Sequence, residues 1–245
     1  MNISKRQKLI LELLEEKNFL TVTAIAEQTY TSPSSIRRDL AKLENLSLLK
    51  RTHGGASFIG ESAKAPHLNQ RMTKNVIGKR KIAKKAANLL ADGQTIMLDG
   101  SSTAAFLIPY IAKHKDVTVF TNNISTALDA INYGIKTHCI GGKSINCSAV
   151  LGGPECYNAI CSVKADILFF STAAISSDAI LSDPTEEENY IRTLMIKNAR
   201  KTVFLCDSEK FGKDSVYKLI SLDEIDFAVF EQEYEEIETK CNIIF

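Results

Sequence analysis

Two sets of residues in this chain have the types and spacing to hold an anion. In "TSPSSIRRDL", residues 31–40, Arg37 and Arg38 are adjacent, one turn into a short helix. Neighbours at i and i+1 do not share a helix face, so the two cannot form one salt-bridged surface pair. Either one is a solvated charge or both face something large and anionic. Ser32, Ser34, Ser35 and Lys42 flank them. Serines accept from and donate to bases or phosphates, and arginines reach guanine O6 and N7 or clamp phosphate. Lys50, Arg51 and His53 form a second basic group further on. The other set is "LDGSST", in which Asp99 ends a strand and Gly100, Ser101, Ser102 and Thr103 open a helix. Free N–H groups and hydroxyls there suit an anion. The long glycine loop and lysine of a nucleotide P-loop are missing, so a monophosphate ester fits better than a nucleoside triphosphate. Plain N-capping by serine is the alternative use of the same residues. Polar loops "TNN" (Thr121, Asn122, Asn123) and "GGK" (Gly141, Gly142, Lys143) follow the next strands, and each alone is a common turn. Ligands of open α/β sheets bind beyond the carboxyl ends of the strands, where all three loops fall.

Metal and cofactor chemistry finds no comparable pattern. Cys139, Cys147, Cys156, Cys161, Cys206 and Cys241 make no C-x-x-C, and no histidine lies near them at ligand spacing. They read as small buried hydrophobes of a reducing compartment, and no cofactor or metal is expected. No apolar run approaches the roughly 18–20 residues that span a bilayer. The N-terminal segment "MNISKRQKLILELLEEKNF" mixes charge with Leu and Ile at helical spacing, unlike a signal peptide. A cytoplasmic protein that does not engage membrane is expected. Its net charge of +1 conceals a polarity. Residues 1–85 carry 17 Lys/Arg against 7 Asp/Glu, a balance of +10, and residues 86–245 carry 13 against 22, a balance of −9. A nucleic-acid-binding arm on a neutral-to-acidic body has this profile.

The elements that must position these residues follow from periodicity. A first helix is predicted from Ser4 to about Lys17, with Ser4 as N-cap and Leu9, Ile10, Leu13 and Leu14 on one face. A second opens near Thr23 and stops around Thr29, with Ile25 and Ala26 inward. In the third, Ser32 caps, Pro33 takes the first helical position, and Ile36, Leu40 and Leu43 are apolar at 4-then-3 spacing. "LSLLKRT" and "ASFIG" around "HGG" read as a hairpin. Three helices and a hairpin make a small winged helix-turn-helix domain over residues 1–57. Its third helix enters the DNA major groove, with Lys50, Arg51 and His53 on the wing over backbone or minor groove. Residues 58–74 show no periodicity and read as a linker. Residues 75–245 begin with a helix whose stripe is Ile77, Ile82, Ala86, Leu89 and Leu90, with a basic outer face and a stop at Gly93. Strands and helices then alternate, which predicts an α/β domain with a mainly parallel sheet. Pro109 should kink or shorten the helix after "LDGSST". "EYEEIETKCNIIF" is expected to add a short helix and an edge strand.

The string "SSIRRDLAKLENLSLLKRTHGGA" resembles the signature of the DeoR family of bacterial transcriptional regulators: recognition helix, short connection, basic wing, His-Gly-Gly-Ala. The resemblance implies that Arg37 and Arg38 contact DNA and that Asp39 helps order the helix. "LDGSST", "TNN", "GGK" and "CDSEKFG" (206–212) resemble the family's C-terminal sensor domain. That domain is related in fold to ribose-5-phosphate isomerase and binds phosphorylated sugars or related metabolites. On that match Asp99, Ser101, Ser102, Thr103, Thr121, Asn122, Gly141, Gly142 and Lys210 are pocket candidates. Glu188 and Arg192 match positions usually held by a glutamate and a basic residue. Ser171 and Ala174 depart from the family's glycines in "F-x-G-x-x-G-I" and should narrow the pocket or alter which metabolite fits.

The expected function is a repressor of sugar or related metabolite genes that binds double-stranded operator DNA as a dimer or higher homo-oligomer. A phosphorylated sugar in the C-terminal domain would control it. The alternative is a sugar-phosphate isomerase with a basic appendage, using the carboxylates of Asp99, Glu188 or Asp207. An isomerase has no need of the N-terminal 57 residues.

Overall fold

The protein is described from a computed structural model that covers residues 3–17, 19–46, 48–52, 54–58, 68–145, 148–234 and 237–245. The chain divides into two compact units, 1–74 and 75–245.

The first unit contains helix α1 (Lys5–Lys17), strand β1 (Phe19–Thr21), α2 (Val22–Gln28), α3 (Pro33–Asn45), β2 (Leu49–Thr52), β3 (Gly55–Phe58) and α4 (Leu68–Thr73). Ile10, Leu14, Ile25, Ile36, Leu40 and Leu43 interlock in one core, each at most 1% exposed. These are the positions that helical periodicity marks, while Leu9 turns to solvent. Strands β2 and β3 form the expected hairpin, and Gly54 turns it at φ 85°, a conformation that glycine adopts freely. Strand β1 adds a third strand against β3 that the sequence did not announce. Three residues are too few for alternation to register. Gly55 allows that pairing, since a Cβ there would stand 2.4 Å from the Leu20 carbonyl oxygen. Helix α4 lies in the segment read as a linker; six residues give no complete apolar repeat.

The second unit opens with α5 (Val76–Ala86), then β4 (Thr95–Leu98), α6 (Ser102–Ala105), α7 (Ile108–Ile111), β5 (Thr118–Thr121), α8 (Ile124–Asn132) and β6 (Lys136–Cys139). A small hairpin, β7 (Lys143–Ser144) and β8 (Leu151–Gly152), precedes α9 (Pro154–Cys161). The rest is β9 (Ile167–Phe170), β10 (Ala174–Ile175), β11 (Ile180–Asp183), α10 (Glu186–Lys197), β12 (Thr202–Cys206), β13 (Tyr217–Ser221), β14 (Phe227–Phe230) and β15 (Asn242–Ile244). Seven strands form one sheet in the order β15-β14-β12-β9-β4-β5-β6, and every pairing in it is parallel. In the central strands β4, β9 and β12 both faces are buried, as parallel sheets require. Ile96, Leu98, Ile167, Phe169, Val203 and Leu205 pack into one apolar layer. Met97, Leu168, Phe170, Phe204 and Phe230 pack into the opposite one.

Four details differ from the expectations. Ile77 is 73% exposed, because α5 buries Gly78, Lys79, Ile82, Ala83 and Ala86 instead. The helix is also not basic only on its outside. Lys79 is buried, and the Lys85 ammonium donates to the carbonyls of Phe230 and Glu231 at 3.0 Å each, at the end of β14. Of the cysteines, Cys156, Cys206 and Cys241 are buried but Cys139 and Cys161 are exposed, and Cys147 lies outside the described residues. The terminal segment adds the parallel edge strand β15 and, among its described residues, no helix. Pro109 acts as expected: the helix after the Asp99 loop is split into α6 and α7, with Pro109 in the first turn of α7. No helix among the described residues is long and apolar enough to cross a membrane.

Candidate nucleic-acid interface and effector site

Helix α3 begins as its sequence dictates. The Ser32 hydroxyl accepts from the Ser35 amide, and Pro33 occupies the first turn, where no N–H is needed. Its buried edge leaves Ser32, Ser34, Arg37, Arg38 and Lys42 exposed together, with Ser35 half-buried. The serine hydroxyls are linked, Ser32 Oγ lying 3.2 Å from Ser34 Oγ and 3.0 Å from Ser35 Oγ. Arg38 Nη2 donates to Ser35 Oγ at 3.4 Å. Asp39, on the buried side, accepts from Arg6 Nε at 2.6 Å and from Gln7 Nε2 at 3.0 Å. This carboxylate ties α3 to α1 and so fixes the direction in which Arg37 and Arg38 project. On the wing, Lys50 is exposed. Arg51 is held at the end of α3 instead of standing free: its amide donates to Glu44 Oε1 at 2.9 Å, and its guanidinium lies 3.7 Å from Glu44 Oε2. His53 lies outside the described residues.

In the second unit the polar residues gather beyond the carboxyl ends of β4, β5, β9 and β12. Arg192, on α10, is the hub. Its guanidinium meets Asp99 at 2.9 Å, Asp183 at 2.8 Å and Glu188 at 3.5 Å, and all four residues are buried. Asp99 also accepts from the amides of Ser101 at 3.1 Å and Ser171 at 3.4 Å. Three carboxylates around one guanidinium leave the cluster formally short of positive charge. Burial opposes the Arg192 charge, but Asp183, Asp99 and Glu188 outweigh it and hold its pKa above the ordinary arginine value. Burial pushes Asp183 up to about 6, with Arg192 offsetting only part of that rise.

A pocket of about 190 Å3, open mouth included, is lined by Asp99, Gly100, Asn122, Val150, Glu188, Ile191 and Arg192. Asn122 donates to the Leu151 carbonyl at 2.8 Å, while its buried Oδ1 has no partner among the described residues. Gly100 allows Val150 to close over the loop, since a Cβ there would stand 2.8 Å from the valine side chain. Beside this pocket Lys210 Nζ donates to Ser171 Oγ at 2.7 Å and Thr103 Oγ1 at 3.3 Å and lies 3.6 Å from Asp207. Ser171 Oγ in turn donates to the Leu205 carbonyl.

Five sequence candidates thus line one pocket, and Thr103 and Lys210 form a neighbouring group. Ser101 and Thr121 are turned to local structure. Ser101 accepts from the Ala104 amide as N-cap of α6, and Thr121 Oγ1 accepts from the Asn123 amide. Ser102 is buried at the start of α6. Gly141, Gly142 and Lys143 are not among the pocket residues. Gly142, at φ 139°, packs on the Gly152 backbone, and exposed Lys143 pairs with Glu187 at 3.6 Å. Sequence reasoning missed Asp183 and the bond from Lys210 to Ser171. Nothing in "ILSDP" marks Asp183 as an arginine partner, because β11 reaches α10 only through the tertiary fold. Neither Ser171 nor Ala174 has the positive φ that would demand glycine.

Two family descriptions match the chain. Residues 6–62 match the DeoR-like helix-turn-helix domain, and residues 74–232 match the DeoR C-terminal sensor domain. The HTH-type transcriptional regulator GolR of Listeria innocua is 33% identical over 226 residues, 92% of this chain and 89% of that one. FruR of Bacillus subtilis, named an HTH-type transcriptional regulator, is 32% identical over 212 residues, covering 86% and 84%. The lactose phosphotransferase system repressor of Staphylococcus aureus is 29% identical over 240 residues, covering 96% and 95%. Among solved structures, ribose 5-phosphate isomerase from Methanocaldococcus jannaschii aligns at a TM-score of 0.42 and 21% identity, over 56% of this chain and 55% of that one. The relatives are regulators rather than isomerases, and the chain belongs to the DeoR family of DNA-binding transcriptional regulators.

Proposed function

We propose that this regulator is a repressor of sugar or related metabolite genes, released from its operator by a phosphorylated sugar bound beyond the strand ends of the second unit. The observation that carries this reading is the division of polar groups there. Asp99, Glu188 and the unpartnered Asn122 Oδ1 are acceptors suited to sugar hydroxyls. Lys210, with the hydroxyl of Thr103, is a cationic donor group suited to the phosphate. The pocket as it stands encloses far less space than a sugar phosphate fills, so ligand entry displaces the segment carrying Val150. That displacement supplies two states of the unit, and a ligand controls the repressor only by binding one of them better. The DNA interface is the face of α3 that carries Arg37 and Arg38, with Lys50 on the wing. The protein acts as a homo-oligomer, since paired half-sites need paired recognition helices. An apolar outer stripe on α8, Ile124, Leu128 and Ile131 at 49–56% exposure, supports that assembly.

The test is capture of fragmented host genomic DNA on the purified protein, with and without a mixture of common sugar phosphates. Enrichment of a few fragments, lost when the mixture is present, is the expected result. Retention that is uniform across fragments and depends only on salt would remove the operator from this reading. Specific enrichment indifferent to every sugar phosphate would remove the effector.

A further inference from the structure

We propose that Tyr30 binds the DNA backbone, its phenolic hydroxyl donating to a phosphate oxygen beside the groove that α3 enters. Tyr30 lies in the turn between α2 and α3, two positions before the Ser32 cap. Its φ of 50° is left-handed, a conformation in which a bulky side chain is strained and Asn or Gly is not. Its side chain is 97% exposed, more than any other large apolar or aromatic residue described. The Tyr30 amide donates to the Glu27 carbonyl at 3.3 Å, a bond that any residue type could make. The phenol itself has no hydrogen-bond or ring partner among the described residues. Neither core packing nor turn geometry therefore calls for tyrosine here; a turn serving the fold alone is better made with asparagine.

Location supplies the missing reason. In helix-turn-helix docking the first residues of the recognition helix reach the base edges. The turn just ahead of them stands at the groove wall, where the phosphates run. A tyrosine at that point carries a neutral donor on a rigid ring with two torsions, so little freedom is lost on contact. Hydroxyl contacts to phosphate position a protein without reading sequence. A neutral donor also releases no counterion, so the contact leaves the salt slope alone.

The contact rests on α3 being the groove helix, and the experiment separates the two. Parent, Tyr30→Phe, Tyr30→Asn and Arg37→Ala full-length proteins are titrated onto a labelled mixed-sequence duplex and onto a captured genomic fragment, at several salt concentrations. Amide exchange in α2 and α3 is followed in parallel. Tyr30→Phe and Tyr30→Asn are expected to weaken both duplexes by about tenfold or more, the worth of one hydrogen bond to a charged acceptor, with an unchanged salt slope. Tyr30→Asn should at the same time raise exchange protection, because asparagine relieves the left-handed turn. Parent-level affinity in Tyr30→Phe, beside a weakened Arg37→Ala, overturns the phosphate contact alone. Parent-level affinity in Arg37→Ala as well overturns the α3 interface on which it rests. Weaker binding of Tyr30→Asn together with lost exchange protection assigns the tyrosine to the fold and also overturns the proposal.

Discussion

Asp183 shows what a single residue costs when a site is built from buried charge. Its carboxylate is 1% exposed, donates nothing, and shares Arg192 with two other acids. The carboxyl pKa therefore rises to about 6, against about 3.9 in an unfolded chain. Between those values the folded protein holds a proton that the unfolded chain has released. Stability accordingly falls as pH rises from about 4 to 6, by about 3 kcal/mol for this one group, and the loss is complete above that window. Asp183→Asn cannot titrate, so its unfolding free energy should vary less over the same window than the parent's. Denaturant melts of both proteins at intervals from pH 4 to 7 check this; parallel profiles would mean that Asp183 stays ionised throughout. Arg192 answers to the opposite logic, since removing it strands three carboxylates at once. The two ends of this network differ in how far they could be foreseen. Arg192 and Glu188 were legible through their resemblance to a family pattern, whereas Asp183 became visible only when β11 was placed against α10.

At the scale of elements, the proposed DNA interface is divided between α3 and the wing, and the sequence made most of that division readable. Capping serine, first-turn proline and a 4-then-3 apolar spacing are local signals, so the start of α3 and its buried stripe were legible. The central strands β4, β9 and β12 were likewise legible, because strands buried on both faces read as short unbroken apolar runs, whereas β14 was not read from the sequence. Features set by distant neighbours were not. Ile77 fits a helical stripe but faces solvent, and Arg51 reads as a free wing charge but is engaged by Glu44. These contacts predict different losses for residues that look alike in sequence. Arg37, exposed and without a partner among the described residues, should cost about 1–3 kcal/mol of operator affinity on mutation to Ala if it grips guanine. Lys50→Ala should instead weaken binding to all duplexes alike and make the salt slope shallower by about 1 unit. Titrations of each variant on operator and mixed-sequence DNA distinguish the two patterns. A sequence-independent loss in Arg37→Ala would move that residue to the phosphate backbone.

For the whole molecule, the units 1–74 and 75–245 have separate cores, so the proposed control of one by the other is a coupling free energy between two distinct sites. A sugar phosphate that bound both states equally would fill its pocket and change nothing. The proposal therefore carries a thermodynamic obligation that can be tested without any structure of the complex. If the effector weakens operator binding by some factor, saturating operator must weaken effector binding by the same factor. Couplings of this kind amount to about 1–3 kcal/mol, or roughly 5–150-fold. The sugar phosphate that releases captured DNA would be titrated by calorimetry into the protein alone and into its operator complex. Equal factors in the two directions would establish that pocket and operator report on one shared equilibrium. Release of DNA by a sugar phosphate whose own affinity ignores the operator would place its action on the DNA or on a contaminant, and would sever the pocket around Arg192 from the control of transcription.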